Sequence, residues 1–399
     1  MSVDRTRRFV LPGIDELNKD QDEALALPLE GQHLIVGGPG TGKSVVALLR
    51  ARRLATEEKR YRILVYNHLL NDSNMHLYGA AQPLFAKTWE KWFRDLHDHI
   101  FKRPVPIIPQ DDPKAYKPID WERVEKTSLI PEGQALPLDQ SHYLLIDEGQ
   151  DLPPQFYATV AGWGGENFYV VADQNQQMEP DKCSSRQDIE NCLGLEASDT
   201  LELKANYRNT LPIALLAQYF YPADPASPRP ELPEPKPAAT LPELWTYDAP
   251  GRPSLSEIVG QILQLSDRFP KKLIGIITPD NRTREKFVNA LNSTYLQLDN
   301  GMPPVQTFVS GQLEPLNFGQ GGVMVINAQS CKGLEFDIAI LADIDLHKPK
   351  QDVHILKSRF YVMVARGREQ VILLRTGMTC PVVESLLPTD SKILDRKGT

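Results

Sequence analysis

Gly37-Gly38-Pro39-Gly40-Thr41-Gly42-Lys43-Ser44 is a glycine-rich run that closes on a lysine and a hydroxyl, a spacing suited to holding a polyphosphate. Glycines let backbone N–H groups converge on phosphate oxygens, Lys43 reaches the β- and γ-phosphates, and the Ser44 hydroxyl takes the accompanying Mg²⁺. A second polar group follows at Asp147-Glu148-Gly149-Gln150-Asp151. There Asp147 would hold the metal, and Glu148 would orient and deprotonate an attacking water. Asp173 and Gln176 form a third, with Gln176 able to sense a γ-phosphate. Far along the chain, Phe360-Tyr361-Val362-Met363-Val364-Ala365-Arg366-Gly367-Arg368 offers an arginine that a second domain could bring over the same nucleotide.

These groups need strand ends to present them. Residues 32–36 read as a buried strand leading into the glycine loop, and residues 45–54 as the helix that follows. Residues 142–146 and 168–172 are apolar, β-prone runs that deliver Asp147 and Asp173 to the carboxyl edge of a parallel sheet, where ligands of α/β folds sit. In the second half, 272–278, 322–326, 338–342 and 370–374 are strand-like. Their alternation with helical stretches predicts an α/β fold with parallel sheets.

Composition agrees with a globular protein of two or three domains: 399 residues, 41% hydrophobic and 24% charged. No apolar run approaches the roughly 18 residues that span a bilayer, so no membrane partner is expected. The N-terminus lacks the apolar segment of a signal peptide, and a cytoplasmic protein is expected. Cys183, Cys192, Cys331 and Cys380 show no CxxC pairing, and His97-Asp98-His99 reads as a solvated helix face rather than a metal site. A net charge of -8 opposes a uniformly basic nucleic-acid wrapper but allows a basic groove. The basic clusters at Arg50, Arg52, Arg53, Lys59, Arg60 and Arg62, and at Lys271, Lys272, Arg282, Arg284 and Lys286, read as solvated helix faces.

From about residue 15 to 375 the chain resembles the UvrD/Rep/PcrA-like superfamily 1 helicases. The resemblance rests on ordered motifs: Leu17-Asn18-Lys19-Asp20-Gln21, the phosphate loop, the acidic box, Asp173 with Gln176, Asn206-Tyr207-Arg208, Gln329-Ser330-Cys331-Lys332-Gly333-Leu334-Glu335-Phe336, and Tyr361 to Arg366. It implies two tandem RecA-like P-loop NTPase lobes, 1–203 and 204–399, with ATP and Mg²⁺ in the cleft between them and a strand across both. It also implies that Gln21 reads the adenine edge, Tyr207 stacks on its face, Gly333 lies beside the γ-phosphate and Glu335 takes a ribose hydroxyl. Arg208 and Arg366 would approach the γ-phosphate, stabilising transition-state charge only on closure.

The family's strand-contacting motifs fall on Tyr66-Asn67-His68-Leu69, on Thr88-Trp89 and on Ser330. Thr88 on a phosphate and Trp89 on a base are plausible, yet Trp89, Trp92 and Phe93 at i, i+3, i+4 equally describe the core stripe of an amphipathic helix. Gln177-Met178-Glu179-Pro180 stands where the family offers an aromatic platform, worth about 1–3 kcal/mol per stacked base. Ala365 replaces a usual threonine and Gln329 a usual histidine. The insertion at about 94–141 is short and Pro- and charge-rich, the segment at about 221–253 reads as a Pro-rich arm, and the tail from 388 as loosely ordered.

The expected activity is an ATP-dependent translocase or helicase on single-stranded DNA or RNA, moving 3′ to 5′ as the Lys-Gly-Leu-Glu-Phe form suggests. The alternative is an ATPase switch subunit that reports nucleic acid to a partner such as a nuclease, as in bacterial anti-phage systems, without robust unwinding. A small-molecule kinase is opposed by the late Arg366 motif.

Overall fold

The computed structural model describes residues 3–7, 11–66, 84–112, 115–131, 134–138, 141–176, 183–223, 227–309, 316–347, 353–377 and 380–397. Two sheets organise the chain. The first contains β1 (Gln32–Gly37), β2 (Arg60–Val65), β3 (Ala86–Thr88), β4 (His142–Ile146), β5 (Asn167–Ala172) and β6 (Leu201–Leu203), in the order β3-β2-β4-β5-β1-β6. The second contains β7 (Glu243–Tyr247), β8 (Leu273–Thr278), β9 (Val305–Thr307), β10 (Gly322–Asn327), β11 (Phe336–Leu341), β12 (Gly367–Thr376) and β13 (Asp395–Arg396), in the order β13-β7-β12-β11-β8-β10-β9. Every ladder between these strands is parallel.

Parallel strands covered on both faces lose the polar alternation of a half-wet strand and become continuous apolar runs. Phe168 to Ala172 and Leu273 to Ile277 follow that rule, which made them readable in the sequence. One face of the first sheet packs Ile35 and Val171 against Val46 and Leu49 of the helix Lys43–Thr56. The other packs Leu34, Val36 and Val170 against Phe156 and Val160. The second sheet repeats the sandwich, with Ile274, Val325 and Ile340 on one side and Met324, Ala339 and Leu373 on the other.

Several expectations are corrected. The helix Trp89–Phe101 buries Trp89 (8% exposed) and Phe93 (0%), which pack on Trp121 and Phe156, so Trp89 belongs to the core and is not offered to a base. With the helix Trp121–Thr127 it turns the short insertion into a packed layer. His97 is fully buried rather than solvated, with its ring nitrogens on Ser128 Oγ (2.8 Å) and Arg103 O (3.1 Å); no His, Cys, Asp or Glu cluster of metal-binding size occurs among the described residues. Arg50 is also buried, bonded to the carbonyls of Leu27 and Pro28 and lying 4.3 Å over the Tyr169 ring.

The Pro-rich arm ends sooner than expected, because Glu243–Tyr247 forms β7 beside β12. The tail supplies β13, and Arg396 bonds Glu384 at 2.6 Å. At the other terminus the Arg7 N–H donates to Gly319 O (2.9 Å) and the Arg7 guanidinium meets Asp337 (2.9 Å), which ties the chain's first residues to the second sheet. No helix among the described residues is long and apolar enough to cross a membrane.

Candidate functional site

β4, β5 and β1 are neighbours, so their carboxyl ends bring the acidic box, Asp173 and the glycine loop to one edge of the first sheet. The loop turns through left-handed glycines, Gly40 (φ 80°) and Gly42 (φ 89°), the second capping the helix Lys43–Thr56. Side chains also crowd it. A Cβ on Gly38 would lie 2.0 Å from Pro230 Cγ, on Gly40 2.3 Å from Asn206 Oδ1, and on Gly42 2.2 Å from Gln21 Nε2. Gln21 donates to Thr41 O (3.0 Å) and completes a reciprocal cap with Asn18, which joins the first helix to the loop.

Lys43 is buried, donating to Gly37 O (2.7 Å) and Gly38 O (3.0 Å), and its ammonium stands 3.9 Å from Asp173. Burial lowers its pKa, against the pull of Asp173 and Glu148. Glu148 occupies the left-handed region at φ 56°, uncommon for a side-chain-bearing residue, and receives Gln150 Nε2 at 2.7 Å. Burial pushes its carboxyl upward, but Lys332, Lys43 and Arg366 together hold it below the ordinary range, which favours the ionised form. The Glu148 N–H anchors one Asp147 oxygen (3.0 Å). Asp147 and Ser44 offer the hard oxygen donors that suit Mg²⁺.

The second half reaches this edge from the amino ends of β11 and β12. Arg366, immediately before β12 and 1% exposed, donates through Nη2 to Gln176 Oε1 (2.7 Å), while Gln176 Nε2 donates to Asp173 Oδ2 (2.7 Å). Lys332 donates to Asp151 Oδ1 at 2.6 Å, both side chains being 4% exposed. One pocket is lined by Gly40, Gly42, Lys43, Ser44, Glu148 and Gln176 together with Arg208, Gly333 and Arg366. Cationic side chains from both halves thus face the Glu148 carboxylate across a small gap.

The remaining expected residues are placed as follows. Arg208 pairs with Glu335 (2.5 Å), so Glu335 holds a guanidinium here. Tyr207 is 54% exposed, and its N–H donates to Gly40 O (2.9 Å). Tyr66 and Thr88 follow β2 and end β3 on the first sheet's carboxyl edge, and Ser330 follows β10 on the second sheet's. Asn67, His68 and residues 177–180 lie outside the described residues.

Sequence reasoning missed residues that frame the site. Ser227, from the Pro-rich arm and 3% exposed, donates to Asp173 Oδ1 (3.0 Å), and Pro230 roofs Gly38. Asn209 donates to Gly367 O (2.6 Å) and Ala365 O (3.2 Å), clasping the Arg366 turn. Proline density flagged the arm but not its destination, and nothing local marked Asn209 beyond its position after Arg208.

No protein-family model and no curated protein matches the chain. Among solved structures it is similar to the C-terminal domain of a possible DNA helicase from Lactobacillus plantarum WCFS1, with 17% identity and a TM-score of 0.33 over 47% of this chain and 96% of that one. At that score the functional reading stands on the site's own geometry.

Proposed function

We propose that the chain is an ATPase of the UvrD-like helicase type, a pair of RecA-like lobes that moves 3′ to 5′ along single-stranded DNA. The observation that carries the reading is the Arg366–Gln176 bond, because it puts a buried guanidinium of the second sheet against the polar residues of the first. An arginine delivered by one lobe to a site built on the other ties hydrolysis to lobe closure.

In this reading Lys43 and the loop N–H groups hold the triphosphate, with Ser44 and Asp147 as ligands for its Mg²⁺. The bound metal would offset charge on the phosphate oxygens. Gln21 and Tyr207 flank the adenine, and Glu335 exchanges Arg208 for a ribose hydroxyl. Glu148 takes the proton of the attacking water, Gln176 registers the γ-phosphate beside Gly333, and Arg366 with Arg208 neutralises the charge that develops. Tyr66, Thr88 and Ser330 are the strand contacts.

The test is steady-state ATP hydrolysis with single-stranded DNA, duplex DNA or RNA added. Stimulation by single strands, abolished in Lys43→Ala, is the expected result; a rate indifferent to every nucleic acid would sink the motor. Ser227 supplies a second expectation. Losing its hydroxyl frees Asp173 to shift, and Ser227→Ala should lower kcat about tenfold with little change in KM, partly restored in Ser227→Thr. Equal kcat in wild type and Ser227→Ala would separate the arm from the chemistry.

That same contact favours a second reading, an ATPase switch for a partner enzyme such as a nuclease, since a protein pulling on the arm would disturb Asp173 directly. A strand-displacement assay divides the two: a switch hydrolyses ATP and releases no strand.

A further inference from the structure

At the edge of the first sheet away from the phosphate loop is a cavity of about 490 Å³, lined by Arg60 and His142, which begin β2 and β4. Asp147 follows the other end of β4, and a rise of about 3.3 Å per residue sets the two ends roughly 15 Å apart. The volume is in the range of ligand pockets, about 300–1,000 Å³.

Its described lining has one sign. Lys59, Arg60, Arg62, His99 and His142 contribute the charged and titratable groups besides tyrosine, and no carboxylate lines it among the described residues, in a chain of net charge -8. Glu30 receives the Tyr143 hydroxyl (3.1 Å) without lining the cavity. Arg62 is half-buried, 5.8 Å over the Phe85 ring. Burial lowers its pKa and Tyr61 is the neighbour that opposes this, so among the described residues no carboxylate compensates the desolvated guanidinium. Such a cation gains from an anion brought to it.

The rest of the surface is apolar. Phe85 (47% exposed), Trp92 and Leu96 stand around buried Leu138 and Leu144, and the edge of Tyr61 against Phe85 (5.6 Å) steadies that ring. Among the described residues the lining contains no Asn, Gln, Ser or Thr. A nucleobase has donors and acceptors on its edges, whose side-chain partners in this described lining are limited to the basic groups and tyrosines. A leucine or phenylalanine side chain has none to satisfy.

We propose that this cavity docks a protein partner through a short acidic segment carrying an aromatic or branched aliphatic anchor. The anchor fills the space between Phe85, Trp92 and Leu96, and its flanking carboxylates meet Arg60 and Arg62. A buried apolar anchor ringed by charge is the arrangement that concentrates binding energy in few residues. The site lies away from the ATPase machinery, and its existence does not depend on that activity.

The test pans phage-displayed random peptides on the full chain, with counter-selection on the Arg62→Glu variant. Enriched peptides should combine Asp or Glu with Leu, Phe or Trp. A labelled synthetic peptide of that consensus should bind at least about tenfold more weakly to Arg62→Glu and to Trp92→Ala, and more weakly as salt is raised. Circular dichroism and unchanged ATP hydrolysis would show both variants folded. Enrichment without acidic bias, no enrichment beyond the counter-selection, or equal affinity in both variants would overturn the proposal. Displacement of the peptide by oligothymidylate would assign the surface to nucleic acid instead.

Discussion

Arg366→Ala is expected to lower kcat for ATP hydrolysis by about 10³-fold, the scale of an arginine that acts only on the transition state, while KM for ATP changes far less. The guanidinium is fully enclosed and its Nη2 rests on Gln176 at 2.7 Å, so it is already aimed at the pocket that Lys43 and Glu148 line. Its Nε is spent on Val362 O (2.9 Å), which fixes the plane of the group. Arg366→Lys should not rescue, because an ammonium cannot hold Val362 and Gln176 in one planar fork. The alanine variant also leaves buried acceptors unpaired, at about 1–3 kcal/mol each, so thermal stability must be measured beside steady-state kinetics. An unchanged kcat in a folded variant would remove Arg366 from the reaction.

Lys332→Met is expected to destabilise the chain by about 3–5 kcal/mol well above pH 6, the cost of removing one partner from a buried ion pair. Asp151 and Lys332 are each 4% exposed and 2.6 Å apart, and methionine keeps the length of the stem while deleting the charge. Burial pushes Asp151 up to about 6 from 3.8 even with Lys332 present, and Asp151 and Glu148 outweigh burial to hold the Lys332 ammonium above its ordinary range. The sign follows from proton uptake. Between 3.8 and about 6 the folded wild type keeps a proton that the unfolded chain has released, so this site's contribution falls as pH rises through that window. Without the ammonium the carboxyl titrates higher still, and the decline extends further toward alkaline pH. Urea unfolding across pH should therefore show a gap between variant and wild type that narrows on acidification. A gap independent of pH would mean that the methionine variant loses packing rather than charge compensation.

Much of the site could be read before any coordinates, and the reason is local. The turn of the glycine loop needs left-handed positions, and Gly40 and Gly42 supply them beside Lys43 within a few residues. Strands β5 and β8 were legible because burial on both faces leaves no polar alternation. Short strands escaped: β3 and β9 have three residues each, and β13 two, too few for a pattern. Charged side chains misled where burial depends on distant partners. Arg50 reads as solvated until the carbonyls of Leu27 and Pro28 close over it, and His97 until the Ser128 hydroxyl, 31 residues on, meets its ring.

By itself, then, the sequence determined the α/β class, the parallel pairing and the chemical inventory, since each follows from backbone conformation or from burial periodicity over a few consecutive residues. Only the tertiary structure decided which groups meet. Arg366 finds Gln176 across 190 residues and Lys332 finds Asp151 across 181, Arg208 turns to Glu335, and the Pro-rich arm brings Ser227 to Asp173 and Pro230 to Gly38. No periodicity encodes those meetings. They depend on how the carboxyl edge of one sheet packs against the amino edge of the other, and that is settled by the cores beneath both.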